Sequence, residues 1–225
     1  MRKSLLWLIV AIIASSPALA QTFSERVGKP YISVDIGVNE VDDTSFNFTT
    51  GVDVKNEYDR GYVVTAEAGY NFGQFLFIDN VKLGAELGYS ENDIDVHKIS
   101  ALGGKQSDST GELSATTLLA NMYHEYDTNT RFVPYYGLGV GFAKVDAQGF
   151  GVPAAPKALD DDDVAFMYQL NVGVNYLLTS NIDIGARYRY SATEGLELTG
   201  AGADAQDKDF DFESHNFTIN VSYRF

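Results

Sequence analysis

Apolar and polar residues alternate along most of this chain with a period of two. This is the repeat of an extended strand, whose side chains point to opposite faces in turn. The last nine residues show it most clearly, with the apolar residues Phe217, Ile219, Val221, Tyr223 and Phe225 on one face. The same alternation predicts eight strands, at 31–39, 61–72, 81–90, 113–126, 131–144, 166–178, 182–190 and 217–225. Only the fourth is ambiguous, because one half of it can take either phase.

The connections between these strands alternate in length. Long segments lie near 40–60, 91–111, 145–165 and 191–213, and short ones at 73–80, 127–130 and 179–181. Long loops in compact domains are usually functional. Short turns at one end and long loops at the other are typical of an outer-membrane barrel whose long loops face outward. The pattern therefore predicts an all-β fold, an eight-stranded antiparallel transmembrane up-and-down β-barrel.

Alternation alone does not decide which face points inward, and a soluble lipocalin-like barrel would turn its apolar face inward around a ligand. Glycine placement favours the membrane barrel. An eight-stranded interior is narrow enough for side chains to fill it, so glycine there relieves crowding, whereas on a solvated outer face it would only weaken the strands. Glycines on the polar face are Gly69, Gly84, Gly88, Gly137, Gly139, Gly141, Gly173 and Gly185.

Three stretches resemble the opacity-protein and porin-like family of outer-membrane barrels. They are PYYGLGVGFAKVD (134–146), YQLNVGVNYLLTSNIDIGARYRY (168–190) and the final SYRF. Phe225, with Tyr223 two residues before it, resembles the signal read by the barrel-insertion machinery of Gram-negative bacteria. The resemblance implies a place in the bacterial cell outer membrane, in contact with its lipid and lipopolysaccharide. Such relatives include adhesins, surface antigens and structural barrels.

The amino-terminal segment has the features of an export signal. Arg2 and Lys3 precede an apolar run, Leu5–Ile13, and a small-residue site at Ala18–Ala20. This order predicts a cleaved signal peptide over 1–20 and a single barrel domain over 21–225. An uncleaved anchor is the alternative, although the run is about half of the roughly 20 residues that a membrane-spanning helix needs.

The formal charge of −15 argues against a nucleic-acid partner, because nucleic-acid binding requires basic patches.

Most of the 31 acidic residues fall in the four long connections. Two runs are dense: Asp160–Asp163, and the alternate positions Asp207, Asp209, Asp211 and Glu213. The simplest interpretation is a solvated, self-repelling surface. Clustered carboxylates also suit Ca²⁺ or Mg²⁺, which could bridge them to lipopolysaccharide phosphates. The second run lacks the spacing of an EF-hand loop, and we predict no cofactor.

Eight charged residues fall on the polar face of the predicted strands, four of each sign. They are Asp35, Glu67, Lys82, Glu86, Asp183, Arg187, Arg189 and Arg224. An unpaired charge in a narrow interior is costly, so we expect Glu67 and Glu86 to pair with Arg187, and Asp183 to pair with Arg224. These pairs would either plug the barrel or line a gated, narrow ion path.

No enzyme is predicted. The chain has three histidines, His97, His124 and His215. Ser214 and His215 are adjacent on a strand, so they point to opposite faces and cannot form a nucleophile–base pair with each other. The expected function is that of a surface structural or interaction protein whose acidic loops meet an extracellular or host surface ligand. A narrow passive pore for ions or small solutes is the alternative.

Overall fold

The computed structural model describes residues 26–47, 53–99, 104–106, 110–152, 155–199, 207–210 and 212–225. Its strands are β1 (Lys29–Val41), β2 (Thr44–Asn47), β3 (Asp53–Tyr58), β4 (Gly61–Phe75), β5 (Ile78–Ile99), β6 (Gly104–Gln106), β7 (Thr110–Glu125), β8 (Phe132–Val152), β9 (Ala155–Leu177), β10 (Ile182–Glu194), β11 (Leu196–Thr199), β12 (Asp207–Phe210) and β13 (Glu213–Arg224). The predicted signal peptide lies outside these residues. Among the residues described, no helix is long and apolar enough to cross a membrane.

Eight of these strands close into an antiparallel barrel. β1, β4, β5, β7, β8, β9, β10 and β13 pair in this order, and β13 pairs back onto β1, with Ile36 opposite Ile219. The predicted eight-stranded closed barrel is confirmed. We call the end with the tight β4–β5, β7–β8 and β9–β10 connections the short-turn end, and the opposite end the hairpin end.

The strands run further at the hairpin end than the sequence predicted. β5 continues to Ile99, and β8 and β9 remain paired through Val145↔Asp163 and Ala147↔Asp161. The run Asp160–Asp163, which was predicted in a loop, therefore lies on β9. Strands β2, β3, β11 and β12 occupy parts of the other long segments. Backbone pairing continues here although the outward apolar row has ended, because hydrogen bonds between strands do not require apolar side chains.

The apolar face of the barrel points outward and the polar face points inward. Ile219 is 67% exposed, whereas Asp35 and Glu86 are 0% exposed. The lipocalin-like orientation is therefore wrong. In the ambiguous fourth strand, the odd-numbered residues point inward, so Leu113, Ala115 and Leu119 face the interior.

The inward glycines leave space for large side chains from neighbouring strands. A Cβ on Gly84 would lie 2.6 Å from the Tyr31 hydroxyl and 2.7 Å from Cδ of Glu67. Tyr31 could not then hold its position across β4. The absence of a side chain at Gly84 is thus a packing requirement of the interior.

We expect Gly84→Val to lower the free energy of unfolding by about 1–3 kcal/mol, the usual cost of overpacking a filled interior. Urea unfolding in detergent micelles measures this. The matched control is Ala85→Val, one residue along β5 on the exposed outward face, which should change the stability little. Equal effects of the two variants would contradict the packing argument.

Candidate functional site

The barrel interior holds a central layer of four charges, Asp35, Glu86, Arg187 and Arg189. Arg187 Nη1 lies 3.5 Å from Glu86 Oε2, and Arg187 Nε lies 3.4 Å from Asp35 Oδ1. Arg189 Nη2 donates a 2.8 Å hydrogen bond to the same Glu86 oxygen. All four side chains are buried. The predicted Glu86–Arg187 pair is therefore present, and Arg189 joins it.

Glu67 does not make the predicted direct ion pair with Arg187. Its carboxylate instead accepts hydrogen bonds from Tyr31 and Tyr123, each at 2.6 Å, and from the Asn121 amide at 2.8 Å. The reason is the strand register, which sets Glu67 directly opposite Glu86. Since Arg187 is taken by Glu86 and Asp35, phenol and amide groups satisfy Glu67 in its place.

Tyrosines connect Glu67 to the central layer. Arg187 Nε donates a 2.9 Å hydrogen bond to the Tyr135 hydroxyl, and Arg187 Nη1 lies 3.4 Å from the Tyr123 hydroxyl. The Tyr123 and Tyr135 rings meet edge to face at 5.7 Å. The central layer is therefore part of a hydrogen-bonded network that spans the lumen. Aromatic side chains fill the space between its charges.

A second charged layer closes the short-turn end. Asp183 binds Arg224 with two contacts, one of them 2.7 Å from Arg224 Nη2 to Asp183 Oδ1, so the predicted pair is present. Arg26 Nη2 reaches Asp183 at 2.8 Å and Glu125 at 3.2 Å. Lys82 lies 3.7 Å from Glu125. We call these five residues the short-turn layer.

Sequence reasoning missed Arg26 and Glu125 in this layer. Arg26 precedes the first alternating segment, so the pattern gave it no inward assignment. Glu125 belongs to the fourth strand, and its inward position follows from the phase of the polar residues Asn121 and Glu125 at the short-turn end. The alternation of these polar residues was the sequence signal that could have placed Glu125 on the inward face.

The hairpin end of the interior is apolar, which the sequence analysis did not predict. An apolar plug fills it, formed by Val41, Leu113, Ala115, Leu119, Ala143, Val145, Ala147, Ala165, Met167, Leu196 and Phe212. Leu196 and Phe212 come from the connection between β10 and β13 and are nearly completely buried. These two side chains therefore belong to the packing that fills the barrel mouth.

Between the plug and the central layer lies one small cavity of about 20 Å³, bordered by Gln169, Arg189 and Phe212 among others. A water molecule needs about 10–15 Å³ of space that its centre can occupy. The cavity therefore has room for about one water molecule. Within the part of the chain that the structure describes, the short-turn layer, the central layer and the plug follow one another along the lumen.

The remaining candidates are the carboxylates of the second acidic run. Glu213 accepts a 2.9 Å hydrogen bond from Tyr190, Asp207 and Asp209 lie on β12, and Asp211 falls outside the described residues. In the part of the chain that the structure describes, no three acidic or histidine side chains converge as metal ligands would. Cation binding by this run stays a prediction.

His215 and Tyr223 lie on the outward face with Phe225. His215 Nδ1 lies 2.7 Å from the Tyr188 hydroxyl, while Ser214 is buried on the inward face. The two adjacent residues thus point apart, as predicted. The Tyr223 and Phe225 rings contact each other at 5.2 Å, and their role as an insertion signal stays a prediction.

Comparison with known proteins gives one family and several similar structures. Residues 6–225 match the family described as "Outer membrane protein beta-barrel domain". An 85-residue segment is 32% identical to outer membrane protein PagN of Salmonella typhimurium, covering 35% of this chain and 34% of PagN. The chain thus spans about a third of that relative.

Two solved structures share the fold. Neisserial surface protein A superimposes with a TM-score of 0.53 at 17% identity, over 87% of this chain and 97% of that one. OprG from Pseudomonas aeruginosa gives 0.57 at 15% identity, over 89% and 97%. At these identities, the similarity concerns the fold.

Proposed function

This chain belongs to the outer membrane protein beta-barrel family and resides in the bacterial outer membrane, and on that premise we propose that it is a surface-binding protein. In this proposal the barrel is a closed anchor. The hairpin end faces the cell exterior, as long loops do in such barrels, and presents an acidic surface to a positively charged partner.

The observation that carries this proposal is the filled lumen. An open pore needs a continuous water path, and polar side chains must line it. Among the described residues, the cavity next to the central layer is about 20 Å³, and apolar Leu113, Leu196 and Phe212 lie above it. A narrow pore would require the plug and both charged layers to rearrange together. The exposed strands outside the barrel need no rearrangement to meet a ligand.

The chemistry of the hairpin end favours a cationic partner. Asp146 lies directly opposite Asp162 on the paired strands β8 and β9. Like charges in this position destabilise a sheet, and Lys144, 3.0 Å from Asp162, offsets only part of the charge. A partner with lysine or arginine side chains would relieve this repulsion.

The neighbouring strands add to the negative potential. Desolvation, followed by repulsion from Glu91, Asp93 and Asp146, raises the pKa of the Glu112 carboxyl. A raised carboxyl pKa means that the folded protein holds this proton more tightly than the unfolded chain. The stabilisation of the folded state that this bound proton gives is therefore lost as the pH rises through the folded pKa. A bound cation would then offset the repulsion between the ionised carboxylates. Anionic lipopolysaccharide would need a bridging divalent cation at the same surface.

The test measures how strongly cells adhere to a polylysine surface when they display this protein. We expect the triple variant Asp161→Asn, Asp162→Asn and Asp163→Asn to bind several-fold less than the parent, since the change removes three negative charges from β9. Asp127→Asn, at the exposed short-turn end, is the control and should bind like the parent. Surface levels of the variants are matched by antibody.

A second variant tests whether binding depends on the length of the β8–β9 hairpin or on its acidic residues. Replacing residues 148–160 by Asn-Gly shortens the β8–β9 hairpin to a two-residue turn of a favoured type and keeps the acidic run Asp161–Asp163. We expect it to retain part of the binding. If the triple variant adheres as well as the parent, the acidic surface is not the binding surface.

A further inference from the structure

The three connections at the short-turn end differ in polarity. Two, at 126–131 and 178–181, are mostly polar, although Tyr126 and Leu178 next to the strand ends are about half exposed. The third is the β4–β5 turn, with the sequence Phe75-Leu76-Phe77-Ile78, in which Leu76 is 75% and Phe77 is 97% exposed. Exposed apolar groups of this kind usually mark a binding or membrane surface. The proposed function does not use this turn.

The apolar turn continues the outward apolar face of the barrel. The Phe72 ring packs against Tyr70 at 4.9 Å and against Phe75 at 5.4 Å. Tyr70 and Phe72 are exposed on the outward face of β4, beside the residues that contact lipid in a membrane barrel. A row of aromatic rings thus leads from the outward face down to the turn.

A bulge keeps this row on one face. Phe72 and Phe75 are three residues apart, so regular alternation would place them on opposite faces. The pairing of β4 with β5 shifts register on both sides of Gly73, which has a φ of 69°. A bulge of this kind re-aims side chains and bends the strand. It brings Phe75 to the outward side, next to Phe72.

The end of β4 and the start of β5 run past their pairing with the neighbouring strands. β4 pairs with β1 as far as Asn71↔Lys29, and β5 pairs with β7 from Val81↔His124. From Asn71 to Phe75 the chain advances about 13 Å at roughly 3.3 Å per residue. The apolar tip therefore extends beyond the backbone pairing of β4 with β1 and of β5 with β7.

We propose that the β4–β5 turn is a lipid anchor, which inserts Leu76, Phe77 and the adjoining aromatic rings into the membrane leaflet at the short-turn end. The occupant of this surface is phospholipid, because the apolar row is continuous with the lipid-facing belt and the bulge turns it toward the outside of the barrel. In the orientation given above, this is the inner leaflet. The anchor would fix the depth and tilt of the barrel at one point of its circumference.

A single tryptophan tests the anchor, since Trp7 is the only tryptophan in the sequence. Phe77→Trp is made in a Trp7→Phe background, refolded into phosphatidylcholine vesicles and compared with Asn129→Trp at the polar β7–β8 turn. Both proteins must first show the gel shift of a folded barrel. Leu76→Trp is the second reporter if Phe77→Trp does not fold.

Tryptophan fluorescence should then distinguish the two turns. We expect emission from position 77 to shift to shorter wavelength and to lose intensity in vesicles of lipid brominated near the headgroup, with weak quenching by acrylamide. Position 129 should show the reverse. Strong acrylamide quenching at position 77 would overturn the proposal, and so would a short-wavelength emission that brominated lipid does not quench, because the side chain would then be packed on protein. Neither result bears on adhesion at the hairpin end.

Discussion

Arg187→Ala should lower the free energy of unfolding by about 3–5 kcal/mol, the usual loss when one partner of a buried ion pair is removed. Arg187 is the cation shared by Glu86 and Asp35, and both carboxylates are 0% exposed. Without it, Asp35 loses this cation, and Glu86 keeps its contact with Arg189. Urea unfolding in micelles, followed by gel mobility and circular dichroism, measures the loss.

The control is Arg60→Ala, because Arg60 also pairs with a carboxylate, Glu40, but is 76% exposed. Exposed pairs contribute about 0–1 kcal/mol, so this variant should unfold nearly as the parent does. Adding Asp35→Asn to Arg187→Ala should recover part of the stability, since it removes one uncompensated charge. If Arg187→Ala is as stable as Arg60→Ala, the central layer does not hold the barrel together.

Asp183→Asn should both destabilise the barrel, by about 3–5 kcal/mol, and release Arg26. Asp183 is the carboxylate that holds Arg26 and Arg224 in the short-turn layer, and its loss removes the 2.8 Å ion pair with Arg26 and leaves the longer 3.2 Å contact with Glu125. Trypsin cleaves after arginine only where the backbone can enter its active site. We therefore expect faster cleavage after Arg26 in the folded variant than in the parent.

Mass spectrometry of the digested, still-folded barrel gives the cleavage rate at this position. Asp127→Asn, which removes a carboxylate from the exposed turn at the same end, should be cleaved like the parent. Equal rates in Asp183→Asn and the parent would show that the ion pair does not fix Arg26 in the barrel mouth.

The sequence predicted the barrel because two independent patterns agree. Alternation in segments such as 217–225 gave the strands, and the glycines opposite the apolar stripe gave the inward face. The same reasoning placed Asp183 near Arg224, since adjacent strands carry them at similar distances from the short turns. Period-two alternation is sufficient for these inferences because it is set by the backbone alone.

Other features depend on register and on tertiary packing, which alternation does not determine. The Glu67–Glu86 juxtaposition follows from the exact pairing of β4 and β5, and it turns Glu67 toward tyrosines. The plug uses apolar residues such as Leu113 and Leu196 at inward positions, where the polar pattern is reversed. The extension of β9 around Asp161 carries no outward apolar row, because outside the membrane this face need not be apolar.

These departures share one cause. Inside the membrane, lipid on one side and a crowded lumen on the other dictate the residue type at each position. Beyond it, both faces of a strand are free of that constraint. The residues that close the lumen and those proposed to bind a partner lie mainly in this second region, so the sequence predicts the anchor better than it predicts the binding surface.

Single-channel conductance of the folded protein in a planar bilayer tests the central claim, a closed barrel that works through its exterior. We expect a silent membrane, with protein whose folded state is verified by gel shift, and with a known porin in the same apparatus giving current. Discrete, reproducible current steps from this protein would contradict it. If their size also changed in Arg187→Ala, the central layer would be the gate of a pore.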